Sequence, residues 1–187
     1  MRVIAGKFRS RPLNSPKKLR VRPTSDKLRE TLFNVLGPAI RESLFVDLYA
    51  GTGAVGIEAI SRGAREVILV ESHPASARLV RRNLETLGIR GGAEVIEADA
   101  VRGLEKIVLR RLVADFIFLD PPYKDSSEHL RVLEFLDATH LVAPYGMVIV
   151  EHNRKTDLPD RFARLERTRL LEQGDTALSF YRLAAAA

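Results

Sequence analysis

Five short apolar runs, at 44–49, 67–70, 93–96, 116–119 and 147–150, alternate along this chain with amphipathic stretches at about 54–62, 74–88, 100–112 and 127–137. The runs are strand-length, and the stretches between them repeat apolar side chains at helical spacing. Strands joined by helices must pair in parallel, because the chain returns through each helix to the end of the sheet it left. Two further strand-like segments, 164–172 and 176–183, flank Gly174-Asp175 and read as an antiparallel hairpin closing one sheet edge. The expectation is therefore an α/β fold with a mostly parallel, seven-stranded sheet covered by helices. Ahead of it, Thr24 is placed to cap a helix carrying Leu28, Thr31, Leu32, Val35 and Leu36, which Gly37-Pro38 ends.

The first strand runs into Gly51-Thr52-Gly53-Ala54-Val55-Gly56, which opens a helix, and Glu71 ends the next strand. This is a Rossmann-like arrangement, in which glycines at 51 and 53 let the backbone pass close to a ligand and Glu71 holds two ribose hydroxyls. Two cofactors fit that pattern, a nicotinamide dinucleotide and S-adenosylmethionine. Asp47 separates them. A pyrophosphate brings negative charge to this turn, where an acid is unfavourable; S-adenosylmethionine brings a sulfonium and an ammonium, which an acid attracts. The plainer alternative is an Asp47 satisfied by backbone amides of the turn. Asp99, after the third strand, can accept from an adenine amine beside the Ala100 amide, or simply cap the following helix; Glu97 is a weaker candidate.

Asp120-Pro121-Pro122-Tyr123 follows the fourth strand. A nucleobase exocyclic amine is a poor nucleophile because its lone pair is delocalised into the ring. Asp120 and the Pro121 carbonyl can accept its two N–H bonds, the prolines fix the carbonyl's direction, and Tyr123 can stack on the base. An oxidoreductase has no use for such a set. The combination reads as methyl transfer to an amine by positioning and electrostatics, with no covalent intermediate and no metal.

With no cysteine, disulfides and thiolate sites are excluded, and the four histidines show no ligand spacing. No apolar run is long enough for a membrane span or a signal peptide, so a cytoplasmic protein is expected. The net charge is +6, and its distribution says more. Arg2, Lys7, Arg9, Arg11, Lys17, Lys18 and Arg20 precede the first acid, Asp26. A basic end on an otherwise balanced chain is the footprint of a polyanion, although a solvated tail has the same composition. Val3, Ile4, Phe8 and Leu13 interleave the charges and favour a short folded hairpin that contacts RNA. Residues 1–22 are accordingly read as a basic RNA-binding arm and 23–187 as the catalytic domain.

The stretches Arg2-Val3-Ile4-Ala5-Gly6-Lys7-Phe8-Arg9-Ser10-Arg11, Arg22-Pro23-Thr24-Ser25-Asp26-Lys27-Leu28-Arg29, Asp47-Leu48-Tyr49-Ala50-Gly51-Thr52-Gly53-Ala54 and Asp120-Pro121-Pro122-Tyr123 together resemble the bacterial RsmD-type methyltransferases. Those enzymes modify guanine N2 in small-subunit (16S) ribosomal RNA. Phe8 stands where such proteins often carry Trp, and Ala5 where Gly is common. The resemblance implies a class I methyltransferase fold, with S-adenosylmethionine held by Asp47, Tyr49, Ala50, Gly51, Gly53, Glu71, Ser72, Asp99, Ala100 and Asp120. It also implies that Arg22 and Thr24 cover the methionine end. The arm, including Phe8, would bind rRNA in a small subunit or assembly intermediate, with the enzyme acting as a monomer. Adenine-N6 methylation and a non-catalytic assembly factor are the alternatives.

Overall fold

The computed structural model describes residues 1–15, 25–121 and 126–185. Seven strands form one sheet in the order β3-β2-β1-β4-β5-β7-β6. They are β1 (Leu44–Leu48), β2 (Glu66–Glu71), β3 (Ala93–Glu97), β4 (Ala114–Leu119), β5 (Val142–Asn153), β6 (Leu165–Gln173) and β7 (Thr176–Leu183). The first five pair in parallel, and β7 pairs antiparallel with both β5 and β6. The helices are α1 (Asp26–Leu36), α2 (Ala54–Ser61), α3 (Pro74–Thr86), α4 (Ala100–Leu109) and α5 (Ser126–Asp137).

Period-two alternation splits each central strand between two apolar layers. Phe45, Val67, Leu69 and Phe118 pack with Leu32, Phe33, Ile57 and Val80, from α1, α2 and α3. Leu44, Val46, Ile68 and Ile117 pack on the other face with Leu104, Ile107 and Leu133, from α4 and α5. Each fully buried Leu or Phe contributes on the order of 2 kcal/mol. β1 is the innermost strand of the parallel half. From it the chain adds β2 and β3 on one side and β4 and β5 on the other, so the crevice at the switch point opens between the carboxyl ends of β1 and β4.

Several boundaries differ from the sequence expectation. The α1 cap is Ser25, whose Oγ accepts from the Leu28 amide at 3.1 Å; Thr24 lies outside the described residues. After Leu36 the chain makes one 3-10 turn, Gly37–Ile40, with Pro38 inside it. α3 and α4 stop before 88 and 112, where Gly88 and Arg111 take positive φ. β5 is much longer than 147–150. Its first half crosses Pro144 and Gly146 where the register to β4 shifts between Ala114 and Phe116, so the proline sits at an irregularity rather than in a regular ladder.

The amino-terminal segment is folded onto the domain. An antiparallel bridge between Arg2 and Pro12 closes a loop, which the Val3 and Leu13 amides reinforce by donating to the Arg11 and Met1 carbonyls. Val3 and Leu13 enter the same apolar layer as α1 and α2. Gly6 is indispensable to this seat: a Cβ there would lie 1.8 Å from the Ser61 carbonyl oxygen. Its φ of +80° also disfavours any side chain.

Candidate active site

Carboxylates gather at the carboxyl ends of adjacent strands. Asp47 shares the α2-facing side of β1 with Phe45, which aims it at the underside of the glycine loop. Its Oδ2 accepts from the Gly56 amide at 2.8 Å, so the backbone-satisfied reading of this residue holds for that oxygen. Gly56 must be glycine for α2 to come so close: a Cβ would meet Leu69 Cδ2 at 2.8 Å and Asp47 Oδ2 at 3.1 Å. Removal from water pushes the Asp47 carboxyl up to about 7; the Gly56 hydrogen bond opposes this and the Glu71 charge adds to it.

Glu71 clasps the same loop from β2. Its Oε2 accepts from the Gly51 amide at 2.7 Å and its Oε1 from the His73 amide at 2.8 Å. Asp47 and Glu71 therefore occupy two loop amides that a phosphate-binding turn would present to an anion, and the loop shows negative rather than positive character. Ala50 is tied into the turn, donating to the Val70 carbonyl at 3.0 Å and accepting from the Gly53 amide at 2.7 Å. Ser72 is exposed at the rim.

Asp99 caps α4, its Oδ1 accepting from the Arg102 amide at 3.1 Å, and it pairs with Arg102 and Arg131 at 3.5 and 3.4 Å. Its side chain is 38% exposed, so a ligand amine can still reach it. Ala100 opens α4, where first-turn amides lack a helical acceptor. Glu97 is exposed and engaged by Arg81 at 3.3 Å. Asp120 leaves β4 half-buried, one residue beyond the last β1–β4 pair, Leu48 with Leu119, and Pro121 behind it is buried. Pro122, Tyr123, Lys17, Lys18, Arg20 and Arg22 lie outside the described residues.

Three polar contacts tie the site to its surroundings, and of their residues only Tyr49 was expected there from the sequence. Tyr49, at a left-handed φ of +64°, donates its hydroxyl to Glu128 Oε1 of α5 at 2.8 Å. Glu128 also pairs with Arg131 at 3.2 Å, which links β1, Asp99 and the helix that follows the Asp120 segment. The carboxylate pushes the Tyr49 phenol above its ordinary range, after burial as the larger cause. Glu58, fully buried in α2, accepts from the Ile4 and Ala5 amides at 2.8 and 3.0 Å and from Arg62 Nε at 2.7 Å. Asn83 of α3 is buried between the arm and the glycine loop. Its Oδ1 accepts from the Asn14 amide at 2.8 Å, and its Nδ2 donates to the Asn14 and Thr52 carbonyls at 3.1 and 2.9 Å.

In the arm, Arg2, Lys7, Arg9 and Arg11 are exposed, while Phe8 is half-buried against the core with Lys7 Nζ 5.4 Å from its ring centre. Among the described residues there is no cluster of three metal-binding side chains, and no helix is long and apolar enough to cross a membrane.

This layout has close counterparts. The family model described as conserved hypothetical protein 95 matches residues 1–182. Ribosomal RNA small subunit methyltransferase D of Escherichia coli (strain K12) is 32% identical over 97% of this chain and 89% of its own length. The chain belongs to the RsmD family. The YlbH protein of Bacillus subtilis (strain 168) is 36% identical over 97% of this chain and 98% of its own. The structure of the yhhF protein of Escherichia coli matches with a TM-score of 0.83 at 30% identity, covering 100% of this chain and 99% of that one. The family match covers the docked arm as well as the sheet.

Proposed function

We propose that this chain transfers a methyl group from S-adenosylmethionine to the exocyclic N2 amine of a guanine in 16S rRNA, within a small ribosomal subunit or its assembly intermediate. The observation that carries this reading is the position of Asp120-Pro121 at the switch-point crevice, facing a glycine loop whose amides are held by Asp47 and Glu71. Membership of the RsmD family supports the rRNA acceptor.

The residues fit the cofactor by charge and hydrogen-bonding capacity. Glu71 retains lone pairs for ribose hydroxyls beyond the two amides it accepts from, Asp99 with Ala100 suits the adenine edge, and the anionic floor made by Asp47 suits a sulfonium and an ammonium. Arg22 and Thr24 are assigned to the methionine end. When bound, the cofactor supplies an electrophilic methyl group and leaves as a neutral thioether. Asp120 and the Pro121 carbonyl accept the two N–H bonds of the amine and aim its lone pair at that methyl. As the N–C bond forms and the C–S bond breaks, positive charge grows on nitrogen beside Asp120, which stabilises it and takes the departing proton or passes it to water. Pro122 and Tyr123 complete the base pocket. The guanine must leave its stack to enter, so a loop nucleotide is favoured. Arg2, Lys7, Phe8, Arg9, Arg11, Lys17, Lys18 and Arg20 contact the surrounding RNA.

Labelled methyl groups should pass from S-adenosylmethionine to small subunits that lack the modification; absence of transfer together with calorimetric binding of a nicotinamide dinucleotide would overturn the reading. Asp47 adds a pH signature. Its carboxyl, raised to about 7, is largely protonated below that pH in the free protein, and a cationic ligand binds the ionised form. Cofactor affinity should therefore rise with pH, by up to about tenfold per unit, and level off above 7. Calorimetry in buffers of different ionisation enthalpy should detect proton release below that point. Asp47→Asn should bind more weakly and without the pH dependence; an unchanged profile would remove Asp47 from the cofactor site.

A further inference from the structure

Arg78, Arg81 and Arg82 lie along one exposed side of α3, but they are engaged differently. Arg81 pairs with Glu97 at 3.3 Å and, with Glu85, borders the shallow groove over Ala93 and Val95. Arg78 stands one turn before Arg81, and Arg82 directly follows it; both are exposed, and neither has a carboxylate partner among the described residues. They are four residues apart, about 6 Å along the helix axis, and so point the same way.

The arm continues this pair. Arg11 Nη2 donates to the Thr86 carbonyl at 3.5 Å, one turn beyond Arg82, and Asn83 clamps Asn14 to the adjacent side of α3. The far end of the helix starts at Pro74, immediately after the Glu71 strand end that grips the glycine loop. Arg11, Arg82 and Arg78 thus form a row of cations from the docked arm toward the cofactor rim. Because Glu58, Ser61 and Asn83 fix the arm's backbone to α2 and α3, the row has a fixed geometry, unlike a flexible basic tail.

We propose that the RNA-binding surface extends beyond the arm onto α3, where Arg78 and Arg82 contact consecutive phosphates of the strand leading to the target guanine. This rests on the reading of the arm as an RNA-binding element. Phosphate is the fitting partner because Arg78 and Arg82 are exposed cations without an ion pair among the described residues, and their spacing suits a repeating anion rather than a single carboxylate.

The experiment compares wild type, R78A/R82A and R81A for binding to small subunits lacking the modification, across a salt series, together with methyl transfer. R78A/R82A should bind about tenfold more weakly at moderate salt, and its slope of log affinity against log salt should fall by about 1.4–1.8, that is 0.7–0.9 per lost phosphate contact. The loss should appear in KM for the subunit, with cofactor affinity and thermal midpoint kept. R81A, which loses only the Glu97 pair, should match wild type in salt slope. If wild type methylates subunits and R78A/R82A binds with an unchanged slope, the α3 surface is refuted and the proposed function stands. If wild type neither binds nor methylates subunits, the function itself fails, and this surface with it.

Discussion

Replacing Asp120 with alanine is expected to lower methyl transfer by about 10³-fold or more while leaving the fold intact. The side chain is half-buried at the carboxyl end of β4, and its removal opens no cavity in the apolar layers formed by Phe116, Ile117, Phe118 and Leu119. In the proposed reaction it removes an acceptor for one N–H of the amine and a negative charge beside a nitrogen that becomes positive. Both interactions strengthen as the reaction proceeds, so the loss belongs in kcat rather than in KM. Asp120→Asn keeps an acceptor oxygen but not the charge and should fall between alanine and wild type. Single-turnover rates with saturating subunits measure this directly; transfer by Asp120→Ala at the wild-type rate would remove Asp120 from the site.

Glu58→Ala is expected to be the most destabilising single change at a polar residue, by about 3–5 kcal/mol, or a fall in thermal midpoint on the order of 10 °C. Glu58 is 0% exposed and accepts from two arm amides and from Arg62 Nε. Arg29, also 0% exposed, lies 3.8 Å from Glu58, donates to the Arg2 carbonyl at 2.6 Å, and has Nε and Nη1 without hydrogen-bond partners among the described residues. Burial lowers the Arg29 pKa while Glu58 and Asp26 counter the shift, so removing Glu58 leaves a buried cation with much of its compensation gone. The Ile4 and Ala5 amides lose their acceptors in the same step, and the arm should detach at its base. Hydrogen exchange at those two amides should rise far more than exchange in β1 or β4. Glu58→Gln, which keeps an acceptor for an amide, should do less harm. A Glu58→Ala protein as stable as wild type, with its arm amides protected, would contradict this picture.

The parallel strands and the glycine loop were legible because both follow from local pattern: buried parallel strands demand continuous apolar runs, and a close turn over a ligand demands glycine. The long β5 was not, since Pro144 and Gly146 interrupt the pattern and only pairing with β4 across an irregular register makes that stretch a strand. The docking of the arm was hidden for another reason. Glu58 lies 54 residues from Ile4, and no local periodicity reports such a pairing. One signal was present: Glu58 is the single charged residue in Ala54–Ser61, a helix otherwise apolar enough to be buried on nearly all sides. Asn83, in the buried stripe of α3, gave a weaker hint of the same kind. The placement of Asp47 and Glu71 near the carboxyl ends of β1 and β2 was legible from the apolar runs that they follow. The Tyr49–Glu128 hydrogen bond, across 79 residues, depends on tertiary placement alone.

The proposed methyl transfer to guanine N2 in 16S rRNA leaves a product that can be identified. Its most direct measurement is mass spectrometry of nucleosides from small subunits lacking the modification, after incubation with the protein and isotopically labelled S-adenosylmethionine. N2-methylguanosine carrying the label in 16S rRNA is the predicted result. Label found in N6-methyladenosine instead, or no labelled nucleoside at all, would contradict it.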